Sequence, residues 1–317
     1  AKAAGSGADE REALEAIAPK YLAQSRRYQA DAERRAAEQH QWRRDEDFAA
    51  ASPGDVFTFE ALRAGNGAAF FVHYGTPGAV RHLLIDGGQR RTYRDVIKPR
   101  LRQLRGSDEQ IVLSHVIATQ TDIDHIQGLI ELLEDMSAKP TRRPDVAIEA
   151  LWSNAFVPDS LQSGDELVRN VPKARLVTRA RALGIPVNAP FSRMIAAPEA
   201  GLARVAIGER STITILGPRV QWLRKFSEYW IKDWSRRVTK ENESETILAL
   251  FDKYKIIEDF GDPRIELLPS PIEIADPGST ATSERSVVNL ASNVLMIENQ
   301  GKRVLVTADA RSDVILS

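Results

Sequence analysis

Cysteine is missing altogether from the 317 residues. That removes disulfide cross-links, thiolate zinc sites and a cysteine nucleophile. Histidine is nearly as scarce. The five are His40, His73, His82, His115 and His125, and none follows His125. No apolar run approaches the roughly 20 residues that a membrane-spanning helix needs. The opening "AKAAGSGADEREALEAIA" lacks the charged-then-apolar layout of an export signal, so the cytoplasm is the expected compartment. An excess of one charge is lacking too: 43 basic against 44 acidic residues leave a net charge of −1 and no overall attraction to nucleic acid. Neither a Gly-x-Ser-x-Gly elbow nor a P-loop occurs, which excludes the common serine-hydrolase and nucleotide-cradle patterns.

What is present divides along the chain. Residues 1–54 read as a helical arm, rich in Ala, Glu, Arg and Gln, with Tyr21, Tyr28 and Trp42 as its few large anchors. "SPGD" at 52–55 marks the boundary. Strand-like text follows in "DVFTFEALR", "AAFFVHYG" and "RHLLIDGG". "TYRDVIKPRLRQL" reads as a helix interrupted by proline. "QIVLSHVIAT" is a buried strand leading into the helix "DHIQGLIELLEDM". "VAIEALWSN" and "STITILGP" read as strands, with a helix in "DELVRNVPKARLVTRARALG" between them. Residues 219–260 form a helical insertion whose Trp222, Phe226, Trp230 and Trp234 recur every four positions, the spacing of a core-facing stripe. "SNVLMIENQ" and "KRVLVTADA" pair across a Gln-Gly turn. The expectation is an α/β (α+β) fold built on mixed sheets. The arginines at 90–91, between 94 and 105, and at 236–237 read as solvated helix faces, with a basic strip for nucleic acid as the alternative.

The densest chemistry lies at the join of the buried strand and its helix, Thr119-Gln120-Thr121-Asp122-Ile123-Asp124-His125. Two carboxylates and an imidazole within four residues suit Zn²⁺ or Mn²⁺. The plainer reading makes Asp122 or Asp124 a helix cap and His125 a first-turn residue. His73 and His82 fit core or edge roles, and His115 lies beneath the motif on its strand. None of these three is expected to bind metal.

Further stretches align with this one. Thr119 to Gly128, "LLIDGG" at 83–88, "ITILGP" and "VTADA" at 306–310 together resemble the metallo-β-lactamase superfamily. Within it, the chain is similar to the branch of the hydrolase domain of DNA-uptake proteins, over about residues 55–317. The resemblance implies an αββα sandwich with a dinuclear metal site and a phosphodiester substrate. It implies Asp122 and Asp124 as catalytic carboxylates, and Asp122, Asp124, His125 and Asp309 as metal ligands, with Asp309 bridging. Asp86 and Gln120 would stand behind them. The sequence departs from the pattern at three places. Gln120 replaces the first histidine, Ser153 and Asn154 stand where another is expected, and Thr-Gly-Asp has become Thr307-Ala308-Asp309.

Two functions remain open. One is a metal-dependent phosphodiesterase or nuclease with a carboxylate-rich site, one or both metal positions filled. The other is a degenerate scaffold of the same fold, serving as a binding or regulatory subunit. Because the family pattern continues past Asp309, the chain is expected to supply only part of the sandwich. A second polypeptide would then cover an exposed sheet face and bring the absent imidazoles. Nucleic acid is a further candidate partner, and a membrane is not.

Overall fold

The computed structural model describes residues 55–138, 145–155, 157, 171–191, 193–199, 201–224, 226, 260–269 and 288–310. The arm at 1–54, the aromatics Trp230 and Trp234 and most of the 219–260 insertion lie outside them. The described residues form a mixed α/β structure with two sheets.

The first sheet opens as a meander, β1 (Val56–Ala61), β2 (Phe70–Thr76) and β3 (Ala79–Ile85). A π-helical turn, Tyr93–Ile97, then runs into α1 (Lys98–Arg105). Pro99 causes the irregularity. It has no N–H to give the Asp95 carbonyl, and the neighbouring Lys98 N–H bonds Tyr93 O, five residues back. Strand β4 (Ile111–Ala118) lies parallel to β3, and α2 (Ile123–Ser137) follows it. Ile126, Leu129, Ile130 and Leu133 fall on one face of α2 at helical spacing, and all are buried. The stretch expected as one strand at 146–154 is two, β5 (Val146–Ile148) and β6 (Leu151–Ser153). Both pair with β4, interrupted at Glu149-Ala150. Helix α3 (Pro172–Ala182) starts with proline in its first turn, where the missing N–H has no intrahelical partner to lose.

The second sheet is antiparallel throughout, in the order β11-β10-β8-β7-β9. Its strands are β7 (Leu202–Ala206), β8 (Ser211–Gly217), β9 (Ile265–Leu268), β10 (Val294–Asn299) and β11 (Lys302–Val306). Strands β10 and β11 form the expected hairpin, with Gln300 and Gly301 both at positive φ, as a type I′ turn requires.

Two apolar layers hold the parts together. Leu84, Val116 and Ala118 of the first sheet pack on α2 and on Leu176 of α3. The opposite face, with Val72, Leu83, Ile85, Ile117 and Trp152, meets Val205, Ile213, Ile215, Leu295 and Ile297 of the second sheet. Burial on both faces explains why β3 and β4 read as continuous apolar runs rather than alternating ones. It also corrects one expectation. The first sheet does not lack a facing sheet, because residues 202–306 of the same chain provide it.

The tightest backbone approach fixes α2 against the loop after β3. Gly87 N–H donates to His125 O at 2.6 Å, and Gly128 N–H to Gly88 O at 3.2 Å. A methyl group on Gly128 would lie 2.0 Å from Gly87 O, a backbone atom with little freedom to retreat. Gly128→Ala is therefore expected to destabilise the protein by about 2 kcal/mol, overpacking outweighing the better helix propensity of alanine. Urea unfolding of the two proteins measures the difference.

Candidate functional site

The parallel register Ile85↔Ile117 brings the ends of β3 and β4 side by side. Asp86, the next residue, turns into the left-handed region at φ 57, and its N–H donates to Ile117 O at 2.8 Å. This turn carries its carboxylate under the end of β4. Oδ1 accepts the Thr119 N–H at 2.8 Å, and Oδ2 accepts the Thr119 hydroxyl at 2.6 Å. His125 Nδ1 lies 2.9 Å from the same Oδ2, and both side chains are buried. On the other edge of the ring, His125 Nε2 stands 3.6 Å from Asp309 Oδ2. Asp309 is 55% exposed, so this edge opens to solvent.

Residues implied by the family pattern are thus brought to one end of the sandwich, but unevenly. His125 and Asp309 meet across 184 positions of sequence, and Asp86 supports His125 from behind. Gln120 is not a bystander: its Nε2 amide donates to Asp309 Oδ2 at 2.9 Å. Asp122 stands at the N-cap of α2, yet its side chain makes no cap hydrogen bond. The capping reading therefore does not hold for it. Among the described residues, no three His, Asp or Glu side chains converge closely enough to hold one ion. The set Asp122, Asp124, His125 and Asp309 does not close around a point.

Charges at this end interact strongly. Burial pushes the Asp86 carboxyl above its usual range, although His125 and the Thr119 donors pull the other way. For His125 burial works to lower the pKa, but the Asp86 hydrogen bond and charge, with Asp309 and Asp124, prevail and raise it. Asp122 is raised by burial, opposed by the positive charge of Lys173 and reinforced by Asp124.

Ser153 and Asn154, at the end of β6, belong to a buried hydrogen-bonded network. Asn188 Oδ1 accepts the Ser153 N–H at 2.7 Å. Asn154 donates to Ile195 O at 3.0 Å and to Asn293 Oδ1 at 2.8 Å. Asn293 in turn bonds Ala118 O through its amide and Thr119 O through its backbone N–H. Asn188, Asn293 and Lys173 carry no signal in the sequence that would single them out. Their roles exist only once the two sheets face each other.

His73, His82 and His115 lie away from the site, and His40 is outside the described residues. His73 Nδ1 faces His82 Nδ1 at 2.7 Å, and its Nε2 faces Glu60 at 3.0 Å. His115 packs edge-on against Trp152. No protein-family model matches the chain, and no curated protein matches its sequence.

Two expectations follow. Ala308 sits at φ 49, where a side chain is strained and glycine is not. Ala308→Gly should stabilise the fold by about 1 kcal/mol, read as a higher melting temperature, after allowance for the greater freedom of glycine in the unfolded chain. The second concerns acid. Burial lowers both His82 and His115 to about 4. The unfolded chain binds their protons first, so their contribution to stability is complete above about pH 6.5 and is lost as pH falls toward 4. Replacing His115 with Gln should flatten the stability–pH curve in that window, measured by chemical denaturation.

Proposed function

We propose that the chain is a catalytically degenerate metallo-β-lactamase-type scaffold, an αββα sandwich retained for binding or regulation. The observation carrying this reading is the Gln120 amide on Asp309. An N–H donor occupies the place of a ligand and points at the carboxylate that should bridge two metals. The rest of the donor set agrees. Ser153 and Asn154 spend their hydrogen bonds inside the protein, and the Lys173 charge acts on Asp122 where a metal's charge would be expected. These residues do not fit a dinuclear centre.

A polypeptide is the partner we favour over nucleic acid, because the cationic face of α1 is largely neutralised. Lys98 pairs with Asp135, Arg100 with Glu60, and Arg105 with Asp145. Phosphate contacts would have to displace those carboxylates.

One feature favours the alternative, a metal-dependent phosphodiesterase. A buried carboxylate on Nδ1, with Nε2 turned toward the exposed Asp309 carboxylate, is the usual orientation device for a ligating histidine. The two readings separate cleanly in experiment. The scaffold reading expects no retained Zn or Mn by elemental analysis, and a melting temperature indifferent to chelator. It also expects no hydrolysis of bis-p-nitrophenyl phosphate in added Mn²⁺. About two equivalents of metal, with turnover lost in Asp124→Asn, would establish the hydrolase instead.

A further inference from the structure

A cavity of about 260 Å³ opens at the end of the sandwich opposite the Asp86–His125 cluster. Three turns build its rim: the β2–β3 turn at Gly75 and Thr76, the β7–β8 turn at Gly208 to Arg210, and the β10–β11 turn at Gln300. Both sheets therefore contribute, and the site exists only when they are assembled. Its volume lies below the roughly 300–1,000 Å³ of drug-sized pockets, which limits an occupant to a small metabolite.

Its wall holds a charge pair that is not hydrogen-bonded. The Asp55 side chain is 7% exposed, and its Oδ2 has no hydrogen-bond partner among the described residues. The nearest cation recorded is Arg210 Nη1 at 3.7 Å, beyond hydrogen-bond length, on a side chain that is 57% exposed. A buried carboxylate oxygen without a donor is costly to leave unmet. Several other polar groups of the wall are already engaged, with Thr76, Glu209 and Gln300 completing the lining. The Tyr74 hydroxyl lies within hydrogen-bond reach of Ser114 Oγ and Ile207 O, Arg81 pairs with Glu149, and Ser211 donates to Asn299.

We propose that this cavity binds an α-amino acid, its ammonium on Asp55 Oδ2 and its carboxylate on Arg210. The match is one of spacing and sign. A free α-amino acid carries its donor and acceptor on adjacent carbons, so both can bond a carboxylate oxygen and a guanidinium nitrogen that stand side by side. A simple amine leaves Arg210 unsatisfied, and a simple carboxylate leaves Asp55 unsatisfied.

The test is calorimetric titration of the full chain with each common α-amino acid, and with propylamine and propionate as single-charge probes. At least one amino acid should bind, with propylamine and propionate weaker by about tenfold or more, the value of one charge-assisted hydrogen bond. Asp55→Asn and Arg210→Gln should each weaken that amino acid by a similar factor. Arg210→Lys should restore part of the loss. Circular dichroism of every variant confirms that it remains folded. If no amino acid binds at millimolar concentration, or if Asp55→Asn and Arg210→Gln bind as tightly as the parent, the assignment is wrong. Equal binding of propylamine would overturn the zwitterion in favour of a plain amine site.

Discussion

A carboxylate taken completely out of water must find donors or give up its charge, and Asp86 is such a group. Three contacts meet it: the Thr119 N–H, the Thr119 hydroxyl and the His125 ring. Each requires a different part of the fold to be in place. The first two need β3 and β4 parallel and in register. The third needs α2 to begin where it does, so that the first turn of the helix delivers His125 downward. The glycines on both sides of the contact then let helix and loop approach to backbone distance. Disturb the register by one residue and all three donors leave together.

The same end of the molecule joins the second sheet to the first. Asn293, just before β10, bonds the carbonyls of Ala118, the last residue of β4, and of Thr119 beyond it, and Asn154 links Asn293 to the segment at Ile195. Buried amides can satisfy one another as donor and acceptor without an ion, whereas imidazoles facing carboxylates gather metal or protons. Hydrogen bonds among Asn154, Asn293 and the backbone at the end of β4 are what hold this end of the two sheets together.

Much of this was legible before any coordinates. The Asp86–His125–Asp309 association follows from three short motifs at strand ends, and the β10–β11 hairpin from its Gln-Gly turn. α2 announces itself through apolar spacing at 126, 129, 130 and 133. The failures have physical causes. Strand β7, "LARVA", is short and carries Arg204 outward, and β9 has only four residues, so neither shows a usable period. The single strand expected at 146–154 breaks because both halves still reach β4, and continuity of apolar text does not record a bend. The facing sheet went unrecognised since its strands are scattered between residues 202 and 306, with long intervals that hide their pairing. Asp55 and Arg210 were invisible as a pair for the same reason.

That scattering has a consequence for how the chain tolerates change. Strands β8 and β10 are neighbours in the sheet, yet β8 ends at Gly217 and β10 begins at Val294. Joining them closes a long loop, whose entropic penalty grows only with the logarithm of its length, about 0.6 kcal/mol for each doubling. The span is anchored at points, since β9 pairs with β7 within it and Leu223, Phe226 and Val288 are buried in one cluster. Between such anchors the chain can gain length at little entropic cost, so room for change lies beside the ladder and not in it.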